Sequence, residues 1–397
     1  MIFVAIAAYA DSELPRTLRS CLAHAQRPED LRFGICWQGD PEAPISLDEF
    51  RDDPRFRFLD YTTRESRGGS WARNLAQGLW QNEEFTLQID SHTYFEEEWD
   101  VRLIALLAGL PAAKPLLTGI LPLFFYDDDG VPQRDAEEGV PSMAVGDWKK
   151  ELGWAPWNIR AAPCPRFPAR TRLLSGMFVF SLGRWNAEVR QDPDHYYWGE
   201  EFALAVRSYT WGYDMFLPSE ALLRHMDHRR ERPRRHWEHG QDVIDARNAI
   251  AFERLRKLVY SDRHEELQPY GLGPVRSLRE YELFSGFDLK RKVAHPDVFT
   301  GVSPDPITIR REEDWDACVS FRSFHLASLP WKRRWYERLR GSGPVRLGSW
   351  ARRRLTRRSW MPWSPQGTGR LRQRPFRGPV ASGARPWPAL RPPDASG

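Results

Sequence analysis

The chain has 397 residues, enough for two or three domains or for one large domain with attachments. Hydrophobic residues make up 41% of the chain and aromatic residues 13%, which excludes a wholly disordered protein. The net charge is only +4, and no apolar run approaches the roughly 18 residues that a transmembrane helix needs.

Charge is divided unevenly along the chain. Residues 331–397 hold 17 Lys and Arg against two acidic residues, a net charge of +15, which leaves 41 basic and 52 acidic residues in residues 1–330. The same segment holds 17 Gly and Pro in 67 residues, a composition typical of disorder. We therefore predict an acidic folded body and a basic, disordered tail. The favoured interpretation of this tail is a solvated extension with no specific nucleic-acid partner. A weak contact of the tail with an anionic membrane surface is the alternative.

The four cysteines, Cys21, Cys36, Cys164 and Cys318, are widely spaced and form no CxxC pair. This distribution argues against a disulfide scaffold or a cysteine zinc site and fits a reducing compartment. The N-terminal apolar run lacks the basic residues and the cleavage site of a signal peptide. We therefore expect a cytoplasmic protein.

Strand and helix patterns alternate through the first 90 residues. Residues 2–8 form a continuous apolar run that predicts a strand buried on both faces, and further strands are predicted at 31–37, 56–60 and 85–90. Apolar residues at helical spacing predict helices at 13–25 and 68–81. This alternation implies an α/β fold with a mostly parallel central sheet that helices cover on both faces.

The second half of the chain has a less regular pattern and no internal repeat. The predicted strands here are 173–181 and 215–217, and the predicted helices are 200–209, 242–260 and 277–284.

Acidic residues lie at or just after the ends of three predicted strands, at Asp11, Asp60 and Asp90. Ligands of parallel sheets bind outside the carboxyl ends of the strands. Asp90 and His92 are two residues apart in an extended segment, so their side chains point to the same side. A carboxylate with an imidazole suits Mn²⁺ better than Mg²⁺, and such an ion could stabilise a diphosphate leaving group. A capped turn without a metal is the alternative interpretation.

A glycine-containing, arginine-rich loop precedes the predicted helix at 68–81. Arg64, Arg67 and Arg73 lie beside a helix N-terminus, where backbone N–H groups and guanidinium groups together can bind an anion. The loop lacks the Gly-Lys-Ser/Thr of a Walker motif. No Gly-x-Gly-x-x-Gly follows the first strand, which argues against a dinucleotide oxidoreductase. Solvated surface arginines are the alternative.

Two other motifs have simple interpretations. Four histidines, at positions 225, 228, 236 and 239, have a spacing that suggests zinc, but the five arginines among them would oppose a cation. The acidic run at 127–129 before Gly130 is interpreted as a turn between strands rather than a cation site.

Residues 67–100, with Asp90-Ser91-His92, resemble the GT-A glycosyltransferases, and in particular the UDP-GlcNAc:polypeptide α-N-acetylglucosaminyltransferases of glycosyltransferase family 60. The same Asp-Ser-His motif occurs in the polypeptide GalNAc-transferases. The other stretches that fit family 60 are residues 2–11, 174–178, 198–202, 211–214 and 270–273, with Arg276 and Tyr281. The resemblance covers about residues 1–290.

The resemblance implies roles for individual residues of this chain. The implied metal ligands are Asp90, His92 and His225, with His228 as the alternative to His225. The implied donor-binding residues are Ala7, Tyr9 and Asp11 at the uracil and ribose, Arg67 and Arg73 at the nucleotide or diphosphate, and Asp90, Ser91 and Gly176. Glu200 and Glu201 match an acidic pair that positions sugar and acceptor hydroxyls without covalent catalysis.

The resemblance also implies a GT-A-type, Rossmann-like nucleotide-diphospho-sugar transferase fold. The implied enzyme moves GlcNAc from UDP-GlcNAc, with retention, to a hydroxyl of protein hydroxyproline, Thr or Ser or of a glycan, and uses Mn²⁺ in preference to Mg²⁺. The predicted domains are a catalytic domain at 1–240, with a nucleotide-binding half at 1–110 and an acceptor-side half at 111–240, a helical extension at 241–330, and the tail at 331–397.

Two alternative functions remain open from the sequence. The same scaffold could use another UDP-sugar with a saccharide or lipid acceptor in cell-surface polysaccharide assembly. The protein could also be an inactive, transferase-like binding protein whose basic tail contacts nucleic acid or membrane.

Overall fold

Strands and helices alternate along the first third of the chain, as the apolar pattern predicts. The structure is a computed structural model, and it describes residues 1–134, 139–146, 148–149, 155–156, 159–162, 167–196, 199–227 and 240–323. The described residues belong to one unit of the chain. The predicted tail at 331–397 and three of the four clustered histidines, His228, His236 and His239, lie outside them.

The helices and strands have the following bounds. The α-helices are α1 (Leu14–Ala23), α2 (Asp48–Arg51), α3 (Gly69–Gln77), α4 (Trp99–Ala108), α5 (Trp185–Glu188), α6 (Glu200–Thr210), α7 (Gln241–Val259) and α8 (Leu278–Ser285). The strands are β1 (Ile2–Tyr9), β2 (Leu31–Gly39), β3 (Phe56–Thr62), β4 (Phe85–Asp90), β5 (Thr93–Phe95), β6 (Pro115–Thr118), β7 (Leu123–Tyr126), β8 (Pro132–Arg134), β9 (Ser142–Val145), β10 (Trp148–Lys149), β11 (Ala155–Pro156), β12 (Ile159–Ala162), β13 (Ala169–Arg170), β14 (Phe178–Leu182), β15 (Asp214–Leu217), β16 (Leu223–Met226), β17 (Phe287–Asp288), β18 (Val293–Ala294) and β19 (Val319–Ser320). Short 3₁₀ helices lie at Pro28–Asp30, His264–Leu267, Pro296–Phe299 and Glu312–Ala317.

Eight strands form the central sheet, in the order β13-β15-β6-β14-β4-β1-β2-β3. β3, β2, β1 and β4 are parallel neighbours, and β6 and β15 are parallel to each other. β14 is antiparallel to both β4 and β6, and β13 is antiparallel to β15. All strands except β13 and β14 therefore run in one direction, and the predicted α/β class with a mostly parallel central sheet is confirmed.

β1 is buried on both faces, as its unbroken apolar run predicts. Ile2, Val4 and Ile6 share one core cluster with residues of α1 and α4. Phe3 and Ala5 belong to a second cluster on the opposite face, with residues of α3. Alternate side chains of one strand thus anchor helices on both sides of the sheet.

A smaller sheet of four strands, in the order β5-β16-β7-β8, carries His225 on its second strand. Only two residues, Ser91 and His92, lie between the end of β4 at Asp90 and the start of β5 at Thr93, so the chain passes from one sheet to the other across them. The sequence pattern predicts neither β5 nor β16.

The third core cluster joins α6 to α7 and α8. Tyr209 of α6 stacks on Phe284 of α8 with ring centroids 4.8 Å apart, and Leu255 of α7 belongs to the same cluster. Ser277 caps α8 and accepts a hydrogen bond from the backbone N–H of Glu280.

The boundary at residue 240 between a catalytic domain and a helical extension stays a prediction. Within the described part of the chain, every helix is too short or too polar to cross a membrane.

Candidate functional site

The residues that the sequence singles out meet at the carboxyl ends of the parallel strands. Ala7 on β1 pairs in register with Asp90, the last residue of β4. Because β14 runs antiparallel, with Phe178 opposite Ile89, the residues just before β14 lie at the same edge as the end of β4. The edge of the sheet thus brings together residues near positions 7, 90 and 176.

Asp90, His92 and His225 form a cluster, which we call the metal-type cluster, whose potential ligand atoms lie within 4.8 Å of one another. The Nε2 atoms of His92 and His225 are 2.9 Å apart. Asp90 Oδ2 lies 3.4 Å from His225 Nε2 and 4.0 Å from His92 Nε2. The side chains come from the end of β4, from the crossing between the sheets and from β16, so three separate parts of the chain build one site.

These distances fit three ligands of one divalent cation. Metal–ligand bonds of about 2.1 Å place neighbouring ligand atoms roughly 3.0 Å apart in an octahedron and roughly 3.4 Å apart in a tetrahedron. Two of the three separations in the cluster fall in this range, and the third is about 0.6 Å longer. The three side chains are mostly buried, with 11–26% of their surface exposed.

Asp11 lies behind His92. Its Oδ2 is 2.7 Å from His92 Nδ1 and accepts a hydrogen bond of 2.5 Å from the Ser91 hydroxyl, while its Oδ1 accepts one from the backbone N–H of Glu13 at 3.0 Å. Asp11 is only 3% exposed. Burial opposes ionisation, but the His92 hydrogen bond and charge outweigh it and lower the pKa of Asp11. The uracil or ribose contact implied for Asp11 stays a prediction.

The charges of the cluster shift its pKa values. Burial would raise the pKa of Asp90, but its hydrogen bond with His225 and the charge of Arg73 hold that pKa well below its ordinary value. Burial would lower the pKa of His92, but the hydrogen bond and charge of Asp11 raise it. Burial and then the charge of His92 lower the pKa of His225. An ionised carboxylate and an unprotonated imidazole are the forms that bind metals.

Arg73 connects the cluster to the loop before β14. It lies on α3, and its Nη2 donates to Asp90 Oδ1 at 2.9 Å. A Cβ added at Gly176 would lie 2.5 Å from Arg73 Nη1, so the guanidinium group occupies the space that any other residue at 176 would fill. This explains why glycine suits position 176: Gly176 makes room for Arg73 beside Asp90.

Glu200 and Glu201 form the first turn of α6. Glu201 Oε1 accepts hydrogen bonds from the backbone N–H of Gly176 at 2.7 Å and from the Ser175 hydroxyl at 3.3 Å. Burial, followed by the charge of Glu201, raises the pKa of Glu200, while Arg73 lowers it. Glu201 therefore joins α6 to the loop before β14 that borders Arg73. Sequence patterns did not point to Ser175 as a partner of Glu201.

A polar cavity lies beside Glu200. His195, Gln191 and Arg207 line it, together with apolar residues such as Leu258. Within the described residues, His195 Nδ1, Gln191 Oε1 and Arg207 Nη2 are buried without a hydrogen-bond partner. Burial lowers the pKa of His195 to about 4, so the ring is neutral near pH 7.

The remaining predicted residues lie at or near this edge without contacts that test their roles. Ala7 and Tyr9 are half-buried at the end of β1, and Arg67 is exposed in the turn before α3. Asp60 forms an ion pair with Arg51, and its side chain is 51% exposed, so it does not join the cluster.

The acidic run at 127–129 forms a turn between β7 and β8. Asp127 Oδ1 accepts hydrogen bonds from the backbone N–H groups of Asp129 and Val131. This agrees with the interpretation of the run as an acidic turn.

A family model described as "Glycosyltransferase (GlcNAc)" matches residues 1–53 and 47–291, nearly three quarters of the chain. The chain belongs to this family. The matched residues include the metal-type cluster, Arg73 and the Glu pair, so the site described above lies within the part of the chain that the family model covers. A comparison with curated protein sequences gives no significant match.

Two solved structures resemble this chain in the course of the backbone. GalNAc-T7 with UDP, GalNAc and Mn²⁺ is 13% identical with a TM-score of 0.47, and the match covers 71% of this glycosyltransferase and 53% of GalNAc-T7. S. aureus TarS 1–349 in complex with UDP-GlcNAc is 17% identical with a TM-score of 0.37, covering 68% of this chain and 71% of TarS 1–349. This glycosyltransferase thus spans about half of GalNAc-T7, and the family assignment stands on the family model.

Proposed function

We propose that the protein transfers GlcNAc from UDP-GlcNAc to a hydroxyl acceptor, with retention of anomeric configuration and with the help of a divalent cation. The observation that carries the proposal is the convergence of Asp90, His92 and His225 beside Arg73 and Glu201, in a member of the Glycosyltransferase (GlcNAc) family. The resemblance to glycosyltransferase family 60 favours a polypeptide hydroxyl over a glycan hydroxyl as the acceptor.

Asp90, His92 and His225 are the residues that would hold the cation. One carboxylate and two imidazoles suit Mn²⁺ better than Mg²⁺, which prefers oxygen ligands. When bound, such an ion supplies positive charge that stabilises a departing diphosphate. Arg73 adds a fixed positive charge beside Asp90, and its guanidinium group suits phosphate oxygens.

The Glu pair would position the sugar and the acceptor hydroxyl. Glu201 is held by Gly176 and Ser175, so its carboxylate has a fixed direction at the edge of the sheet. In the proposed reaction, the bond between the sugar C1 and UDP breaks and a bond from the acceptor oxygen to C1 forms on the same face. The hydroxyl proton passes to the departing phosphate, so no residue of the chain forms a covalent bond with the sugar.

The test is UDP release by the full chain from a panel of UDP-sugars, with and without Mn²⁺, with water or hydroxyl-bearing peptides as acceptors. We expect Mn²⁺-dependent release that is highest with UDP-GlcNAc and that is lost in Asp90→Ala, while the matched variant Asp60→Ala keeps it. A different preferred UDP-sugar would favour the polysaccharide alternative. Absence of both release and UDP-sugar binding would refute the transferase proposal.

The binding-protein alternative needs a separate comparison. Deletion of residues 341–397 is expected to leave sugar transfer unchanged. If the deletion removes binding to nucleic acid or to anionic vesicles, and the full chain shows no transfer, the alternative is favoured over the proposed function.

A further inference from the structure

The two ring nitrogens of His92 face different surroundings. Nε2 faces His225 and Asp90, the other members of the metal-type cluster. Nδ1 faces the buried carboxylate of Asp11 at 2.7 Å. The position of the single proton on a neutral imidazole therefore decides whether Nε2 can act as a metal ligand.

The hydrogen bonds of Asp11 require its carboxylate to accept, and not to donate, the hydrogen bond with His92. The Ser91 hydroxyl donates to Oδ2 and the backbone N–H of Glu13 donates to Oδ1, so both oxygens act as acceptors. An ionised carboxylate has no hydrogen to give, so the Nδ1 that faces Oδ2 must carry the hydrogen. The lone pair of the neutral ring then lies on Nε2, on the side of the cluster.

We propose that Asp11 is a positioning residue that holds His92 in the Nδ1–H form and directs its Nε2 lone pair toward the cation. This inference rests on the proposed function, and it gives Asp11 a different role from the nucleotide contact that the resemblance implies. Ser91, the middle residue of the Asp-Ser-His motif, fixes the Asp11 carboxylate through its hydroxyl. Partners of this kind orient metal-ligating histidines and increase their basicity.

Asp11→Asn tests the proposal because asparagine has the same shape as aspartate but also carries a donor. The Glu13 N–H would hold the amide oxygen, so the NH₂ group would face His92. Nδ1 would then accept a hydrogen bond, and the ring proton would move to Nε2. We expect Mn²⁺ binding to weaken by about 10- to 100-fold, the range found for loss of such a partner.

Two measurements on the full chain separate this role of Asp11 from the general effect of removing an acidic charge. Electron paramagnetic resonance of free Mn²⁺ gives the dissociation constant. Ring ¹⁵N NMR of the metal-free protein, with the His92 signal identified by its loss in His92→Gln, gives the protonated nitrogen. Asp60→Asn is the matched control, since it removes an acidic charge from another strand of the central sheet, β3, where the side chain pairs with Arg51.

Asp11→Asn is expected to weaken Mn²⁺ binding and to move the His92 proton to Nε2, while Asp60→Asn changes neither. An Asp11→Asn protein that binds Mn²⁺ as the wild type does would overturn the proposal. So would a wild-type protein whose His92 carries its proton on Nε2, a result that does not require any variant to fold. If the wild type binds no Mn²⁺, the metal part of the proposed function fails, whereas the NMR result still decides the role of Asp11.

Discussion

Gly176→Ala is expected to displace Arg73 without removing any charge from the site. The added Cβ would lie 2.5 Å from Arg73 Nη1, whereas such atoms are in optimal contact at about 3.5 Å. The backbone at 176 is held on both sides, since its N–H donates to Glu201 and its carbonyl accepts from Gln88 Nε2 at 3.0 Å. The guanidinium group must therefore retreat by roughly 1 Å.

The retreat would break the contact with Asp90. The Arg73 Nη2 to Asp90 Oδ1 distance is 2.9 Å, and an increase of about 1 Å takes it beyond hydrogen-bond range. Loss of a hydrogen bond between charged groups destabilises by about 1.5–3 kcal/mol, and both side chains are largely shielded from solvent. We expect a loss near 2 kcal/mol in the free energy of unfolding, with a melting temperature lower by several degrees.

The assay pairs thermal unfolding with UDP release from UDP-GlcNAc. Gly69→Ala is the matched control, because it makes the same chemical change at the start of α3, where an added Cβ meets no atom within 4 Å. We expect the control to match the wild type in stability and turnover. If Gly176→Ala is as stable and as active as Gly69→Ala, the close approach of Arg73 to position 176 has no role in the site.

Three further predictions concern the Glu pair, the late histidine and the cavity. Glu201→Gln can still accept from the Gly176 N–H, so it should fold normally, yet loss of the charge should lower transfer by about 10- to 100-fold in steady-state assays. His225→Ala should weaken Mn²⁺ binding at least tenfold in a titration, whereas equal weakening in His228→Ala would contradict the assignment of His225. His195 has a folded-state pKa near 4, below its unfolded value of about 6.5, so the unfolded chain binds more protons between these pH values and stability falls as the pH falls. Urea unfolding at pH 7 and pH 5 should show the wild type losing about 2 kcal/mol more than His195→Gln, and equal losses would show that His195 does not stay neutral in the fold.

Local sequence patterns predicted the strands and helices whose buried residues form a continuous run or a single helical stripe. The apolar runs of β1, β2 and β4 are buried in the central sheet, and the stripe of α3 packs on one face of it. The close succession of Asp90 and His92 after β4 also pointed to the site, because it needs only the geometry of one extended segment.

The parts that sequence reasoning missed depend on contacts between distant segments. An apolar run reveals a buried strand but not its direction, so the antiparallel course of β14 and the approach of Gly176 to Asp90 were not predicted. β16 has only four residues, Leu-Arg-His-Met, which show neither an apolar run nor an alternation of polar and apolar side chains. The family resemblance, rather than any local pattern, singled out His225.

Asp11 illustrates a different limit of reasoning from sequence alone. An acidic residue after a strand end has the same local sequence whether it meets a ligand or a neighbouring side chain. Its contact with His92 joins residues 81 positions apart, which the parallel pairing of β1 with β4 brings together. The sequence therefore located the residue at the correct edge of the sheet but could not give its partners.

The crossing from β4 to β5 has a consequence for how the protein responds to its surroundings. Asp90 ends a strand of the large sheet, whereas His225 belongs to the small sheet, and only Ser91 and His92 separate the two sheets along the chain. An ion held by all three ligands would be a cross-link between the sheets. Binding at 100 times the dissociation constant would add about 2.7 kcal/mol to the stability of the folded chain. The strength of the connection between the two sheets would then depend on the metal content of the medium, so the supply of the ion would set the stability of the fold as well as the proposed activity.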